Sequence, residues 1–72
     1  MIADIEKLLA ARPFVPFTIV TSAGMRYHVA SADHINITPR KSRVVVLFDD
    51  DTGVFISGLH ITAIEAGQPQ VA

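Results

Sequence analysis

Residues 12–20 read RPFVPFTIV and mark the point where a helical pattern gives way to the first strand. Each of the two prolines fixes its own φ and disfavours a helical conformation at the residue before it, Arg12 or Val15. The segment is therefore predicted to be extended, and any helix before it to end by Arg12. The rings of Phe14 and Phe17 flank the second proline, and we expect them to pack into the core.

The same segment contains a PxxP sequence, Pro13-Phe14-Val15-Pro16, of the type that SH3 and WW domains bind. Such ligands usually lie in proline-rich disordered tracts. This segment instead runs directly into a strand pattern, which favours a hinge that also anchors packing.

The residues before the hinge, Met1–Ala11, have the pattern of an amphipathic helix of about three turns. Apolar and charged residues lie on opposite sides, with Ile2, Ile5, Leu8 and Leu9 against Asp4, Glu6 and Lys7. So short a helix is not stable alone in water. Its apolar side is expected to pack on the sheet of its own chain or on another copy.

After the hinge the apolar period changes to two, which predicts short strands joined by tight turns. The runs are Phe17–Thr21, Met25–Val29, Ile35–Ile37, Val44–Phe48, Val54–Ile56 and Thr62–Glu65. A single tight helical turn is expected at Leu59-His60-Ile61. Gly24 and Gly53 are expected to take left-handed conformations in the turns after the first and fourth runs.

The run Val44–Phe48 has no polar residue and is typical of a strand covered on both faces. One face is expected to meet the interior of the domain. The other needs the helix or a neighbouring subunit.

We predict a mainly β, α+β fold: an N-terminal helix followed by a five-stranded antiparallel small barrel of the SH3 or Sm kind, since closure protects strand edges. An open antiparallel sheet with the helix across one face is the alternative. A single domain is expected over residues 1–66, with a frayed C-terminal tail at 67–72.

The composition favours self-association. Of the 72 residues, 50% are hydrophobic and 18% are charged, the latter against about 25% in ordinary soluble domains. The chain has no Cys to staple its thin core. We therefore expect a homo-oligomer, with other protein partners undefined. The expected contacts are on the helix and the valine run: Ile2, Ile5, Leu9, Val45 and Leu47.

Charge and hydropathy indicate the compartment. The formal net charge is −1, which gives the whole molecule no attraction for nucleic acid or anionic membranes. No apolar run reaches the roughly 18 residues of a membrane span, and the start MIADIEKLL lacks the basic region of a signal peptide. We expect a cytoplasmic protein with no membrane partner.

Nearly the whole chain resembles a family of small uncharacterised bacterial proteins with the pattern RPFxPFxI, a Gly turn, a Val-rich strand and a closing hIxxIE. The residues that carry the resemblance are Arg12-Pro13-Phe14, Pro16-Phe17, Gly24, Tyr27, Val29, Val44–Leu47, His60-Ile61 and Ile64-Glu65. The resemblance implies a fold and a bacterial origin but does not indicate an activity.

A looser resemblance is to Sm-like RNA-binding proteins, which also place a helix before a five-stranded barrel and form rings. Gly24, Asp33 and Asn36 lie roughly where the first motif of that family has Gly, Asp and Asn. The chain departs from the family in a shorter spacing from Gly24 to Asp33, a missing second Gly and the lack of the RG pair of the second motif.

Nucleic-acid binding is therefore the alternative function. The basic loop Pro39–Arg43 has the charge to contact phosphates, and Tyr27 has a ring on which a base can stack. The candidate contacts are Arg26, Tyr27, Arg40, Lys41 and Arg43. A solvated basic turn is the simpler interpretation of the same residues.

No catalytic, cofactor or metal site is predicted. Imidazole is a common metal ligand, but the three histidines, His28, His34 and His60, do not have a spacing that pairs two rings on one face. The acids Asp49–Asp51 are expected to serve the turn, because a calcium loop needs alternating ligands and a final Glu. We find no nucleophile elbow or phosphate loop, so we do not expect an enzyme.

Overall fold

The computed structural model describes residues 1–66, which form one α-helix and six strands. Their bounds are α1 (Ile2–Ala10), β1 (Phe17–Thr21), β2 (Arg26–Val29), β3 (Ile35–Ile37), β4 (Arg43–Leu47), β5 (Gly53–Ser57) and β6 (Ile61–Ala66). Single 3-10 turns at Ala32–His34 and Gly58–His60 precede β3 and β6. The expected fraying of 67–72 lies outside the described residues.

The strands form two three-stranded antiparallel sheets. Sheet A has the order β2-β1-β6 and sheet B has the order β3-β4-β5. The predicted α+β, mainly β class is confirmed. The structure has six strands rather than the five of the predicted barrel, and β2 and β3, on either side of the 3-10 turn at Ala32–His34, belong to different sheets.

One core lies between the inner faces of the two sheets and α1. Its buried residues are Ile2, Ile5, Phe17, Ile19, Val29, Ile35, Val44, Val46, Ile56 and Ile61. Alternate residues of the central strands β1 and β4 enter this core, as period-two strands require. Burial of these side chains is the main stabilising term for so small a domain.

The hinge behaves as predicted. Helix α1 ends at Ala10, and Ala11 is already extended with φ −67° and ψ 141°. Phe17 is buried in the core and Phe14 packs beside it, with ring centroids 5.9 Å apart. Two prolines thus end the helix and deliver the chain to β1 in the orientation that buries Phe17.

No helix within residues 1–66 has the length and apolar character to cross a membrane.

The β4–β5 turn differs in one detail from the prediction. Gly24 has the expected positive φ, 83°, but the left-handed residue of the later turn is Asp51, with φ 69°, rather than Gly53. Gly53 is the first residue of β5, and a Cβ there would lie 3.0 Å from the Val46 carbonyl oxygen. Its smallness therefore serves close packing of β5 on β4, while an Asp tolerates the left-handed position.

Asp50 bonds the local backbone of this turn, as predicted for its acids. Its Oδ1 accepts from the Oγ1 hydroxyl of Thr52 and from the Thr52 amide, the latter at 3.1 Å. These two hydrogen bonds, the hydroxyl first, lower the pKa of Asp50 below its ordinary value. Their contribution to stability is fully present above the ordinary carboxyl pKa and is lost as the pH falls through the lower folded pKa.

We expect Ile5→Ala to lower the free energy of unfolding by about 2–5 kcal/mol, because it leaves a cavity where a fully buried side chain stood. The exposed Lys7 on the same helix is the control, and Lys7→Ala should change stability by no more than about 0.5 kcal/mol. Urea unfolding followed by circular dichroism checks both. Equal midpoints for the two variants would contradict the placement of Ile5.

We expect Thr52→Val to raise the pKa of Asp50 towards its ordinary value, because the hydroxyl donor is lost while the amide donor remains. Thr52→Ser keeps a hydroxyl and should keep the lowered pKa. Titration of the Asp50 carboxyl carbon by NMR measures the difference. The turn geometry is wrong if Asp50 titrates alike in Val and Ser variants.

Candidate interaction surface

The outer faces of the two sheets differ in chemistry. On sheet A, cross-strand pairing places His28 and Glu65 on either side of Thr18. Arg26 lies on the same face, and its guanidinium pairs with the Glu65 carboxylate. This hydrogen bond and the charge of Glu65 raise the pKa of Arg26 above its ordinary value. The outer face of sheet A is therefore polar, and the charges of Arg26 and Glu65 on it neutralise each other.

The outer face of sheet B carries an apolar group, with Asn36, Arg43 and Ser57 as its polar neighbours on the same face. Val45 of β4 lies opposite Phe55 of β5, and Leu47 lies opposite Gly53. A Cβ built on Gly53 would lie 3.1 Å from Cδ2 of Leu47, so the Leu47 side chain extends over β5 on this face. We call Val45, Leu47 and Phe55 the apolar patch.

The patch is open to solvent. Phe55 is 67% exposed and Leu47 is 37% exposed, while Val45 is half-buried. The neighbours of Phe55 along β5, Val54 and Ile56, face the core instead. Helix α1 therefore does not cover the outer side of the run Val44–Phe48. Either the helix or a neighbouring subunit was expected to cover this side. A large exposed aromatic residue beside aliphatic ones is the type of surface that marks an interaction site.

The structure divides the residues predicted for self-association. Val45 and Leu47 belong to the apolar patch. Ile2 and Ile5 are instead buried in the core of their own chain, and Leu9 packs partly against that core. The apolar side of the helix is thus mostly used within the chain, and Phe55 is the member of the apolar patch that the sequence-based prediction missed.

The residues predicted for nucleic-acid contact are dispersed. Tyr27 stacks on Phe48, with ring centroids 6.4 Å apart. Phe48 follows the end of β4, about 17 Å along the strand direction from the basic loop that precedes it. Lys41 in that loop pairs with Glu6 at 3.1 Å, and Arg26 is on the outer face of sheet A. The basic loop, with Arg40 and Arg43 exposed, therefore lacks Tyr27 as a stacking platform.

The three histidines lie on separate elements, and each ring is near a Ser or Thr oxygen. His28 Nδ1 is 3.2 Å from Thr18 Oγ1, and His60 Nδ1 is 3.4 Å from Ser22 Oγ. Residues 1–66 hold no group of three His, Asp or Glu side chains placed to bind one metal ion.

His34 is the exception in that it joins two distant turns. Its Nδ1 is 2.7 Å from Ser31 Oγ and its Nε2 is 2.8 Å from Asp49 Oδ1. Ser, His and Asp in this order have the composition of a nucleophile, base and orienting acid. However, the Asp49 side chain is 96% exposed, and the groove of about 390 Å³ between α1 and β6 is lined by other residues. The chain of contacts ties the turn before β3 to the β4–β5 turn.

Comparison with known proteins gives no relative: no family model, no curated protein and no solved structure matches this chain. The case for the candidate interaction surface is therefore made from the geometry of this chain.

We expect truncation of two neighbouring residues of β5 to lower stability by very different amounts. Ile56→Ala removes a buried side chain and should lower the free energy of unfolding by about 2–5 kcal/mol. Phe55→Ala removes a larger but exposed side chain and should lower it by less than about 1 kcal/mol. Urea unfolding at low micromolar protein concentration measures both. An equal or larger loss for Phe55→Ala would show that the ring is packed in the single chain.

Proposed function

We propose that this protein is a non-catalytic interaction module that self-associates through the outer face of sheet B. The observation that carries the proposal is the 67% exposure of Phe55 beside Val45 and Leu47. Complete burial of a side chain of this kind contributes about 1.5–3 kcal/mol. Burial of the patches from two copies opposes the free-energy cost of association, and we expect a weak, reversible contact with a dissociation constant of about millimolar.

Sheet A supports the choice of face by contrast. Its outer side already satisfies its charges internally through Arg26 and Glu65, and burying such a pair carries a desolvation penalty. The apolar patch has no charged member, and Arg43 at the start of β4 is the one charged residue on the outer side of strands β3–β5. Burial of the patch therefore desolvates no ion pair, and a second copy offers the same three apolar residues for a symmetric contact.

We also propose that the two sheets form a small barrel of the SH3 or Sm kind. Sheet A contains the first, second and last strands, and sheet B contains the three between them. The inner faces share one core, and only a short connection with a 3-10 turn separates β2 from β3. We further propose a bacterial origin, which the family resemblance implies, and a cytoplasmic location.

We expect the double variant Leu47→Thr with Phe55→Thr to remain folded and to become monomeric, because threonine keeps a high β-propensity and removes most of the patch. Val20→Thr on the outer face of sheet A is the matched control and should associate as the parent does. Sedimentation velocity over micromolar to millimolar concentrations separates the two. If the double variant associates as strongly as the parent, the patch is not the interface.

A further inference from the structure

The backbone of β5 has one side without a strand partner. Within residues 1–66, β5 pairs with β4 alone. Hydrogen bonds flank the ladder at both ends: Phe48 N–H donates to Thr52 O at 2.8 Å, and Gly58 N–H donates to Ser42 O at 2.8 Å. Both pairs continue the register in which Arg43 lies opposite Ser57.

These two bonds determine which amides point to the free side. Hydrogen-bonded pairs recur at every second residue of an antiparallel ladder. The backbone groups of Val54 and Ile56 therefore face β4. The N–H and C=O groups of Gly53, Phe55 and Ser57 face away from it, along the open edge.

This edge also lacks the features that usually prevent strand addition. Edge strands are normally protected by charges, prolines or shortness. Among the other edges, β2 contains Arg26, β6 contains Glu65, and β3 has only three residues. Strand β5 has five residues, Gly-Val-Phe-Ile-Ser, with no charge and no proline. Its open edge is therefore suited to accept another extended strand.

We propose that β5 pairs antiparallel with β5 of a second copy, around a two-fold axis at Phe55. The inference rests on the proposed self-association and specifies its geometry: the two apolar patches lie side by side on one continuous outer face, and they meet at Phe55 rather than stacking face to face. In this register Phe55 lies opposite Phe55 of the second copy, and Gly53 lies opposite Ser57. Gly53, Phe55 and Ser57 of each copy donate their edge N–H groups to the other copy, and the two copies of sheet B become one continuous sheet.

The strand complements itself better than it complements an arbitrary peptide. Phe55 is the central residue of β5, so the two-fold arrangement pairs every residue of the strand. The two Phe55 rings become cross-strand neighbours on the outer face, an aromatic pair that stabilises antiparallel strands. The small Gly53 and Ser57 flank them without crowding. An isologous contact of this kind closes on itself and does not propagate into fibres.

Ser57 provides the test because its N–H points to the open edge and its φ is −66°, the value that proline requires. Ser57→Pro deletes the edge donor and places a ring there, while the β4–β5 ladder is kept. Ser57→Ala is the matched control, since both variants lose the Ser57 Oγ contact with the Leu59 amide. We expect the dissociation constant of the dimer to rise at least about tenfold in Ser57→Pro and to stay within about twofold of the parent in Ser57→Ala.

Sedimentation equilibrium of the three proteins separates the outcomes. If the parent and Ser57→Pro dimerise equally, edge pairing is overturned while self-association stands. If the parent is monomeric up to millimolar concentration, both proposals fail. Amide hydrogen exchange of the parent provides a measurement without a substitution. Protection of the Phe55 amide should rise with the fraction of dimer, and protection that is independent of concentration while dimer forms would overturn the pairing.

Discussion

The antiparallel pairing of β4 with β5 is the constraint on which the rest of this structure depends. It places Val44 opposite Ile56 inside the domain and Val45 opposite Phe55 outside it. Because side chains alternate with a period of two, a shift of one residue would reverse both assignments. The core of a chain this small cannot hold all of its hydrophobic residues. The pairing therefore decides which of them remain available to a second molecule.

Strand β5 combines two properties that are usually kept apart. The side chain of Phe55 enlarges an apolar face, and its backbone lies on a strand edge without a charge or a proline. Either property alone is common on small domains. Together they favour a contact in which apolar burial and backbone hydrogen bonding act at the same residues. Sheet A lacks this combination, because Arg26 and Glu65 occupy its edges.

Local signals predicted the fold well where they acted within one segment. The prolines of the hinge, the helical spacing before it and the glycine of the first turn all have local physical causes. The left-handed residue of the later turn was assigned to Gly53 instead of Asp51, because either residue type tolerates that conformation. Phe55 was missed as a surface residue, since its outward direction depends on the register with β4. The burial of Ile5 in its own chain and the contact of His34 with Asp49 likewise depend on tertiary packing.

The most direct test of the central claim is sedimentation equilibrium of the unmodified protein from micromolar to millimolar concentration. The exposed patch on sheet B predicts a reversible increase in mass from monomer to dimer across this range. A single monomer mass at every concentration would contradict it, because Phe55 would then remain in water without a partner.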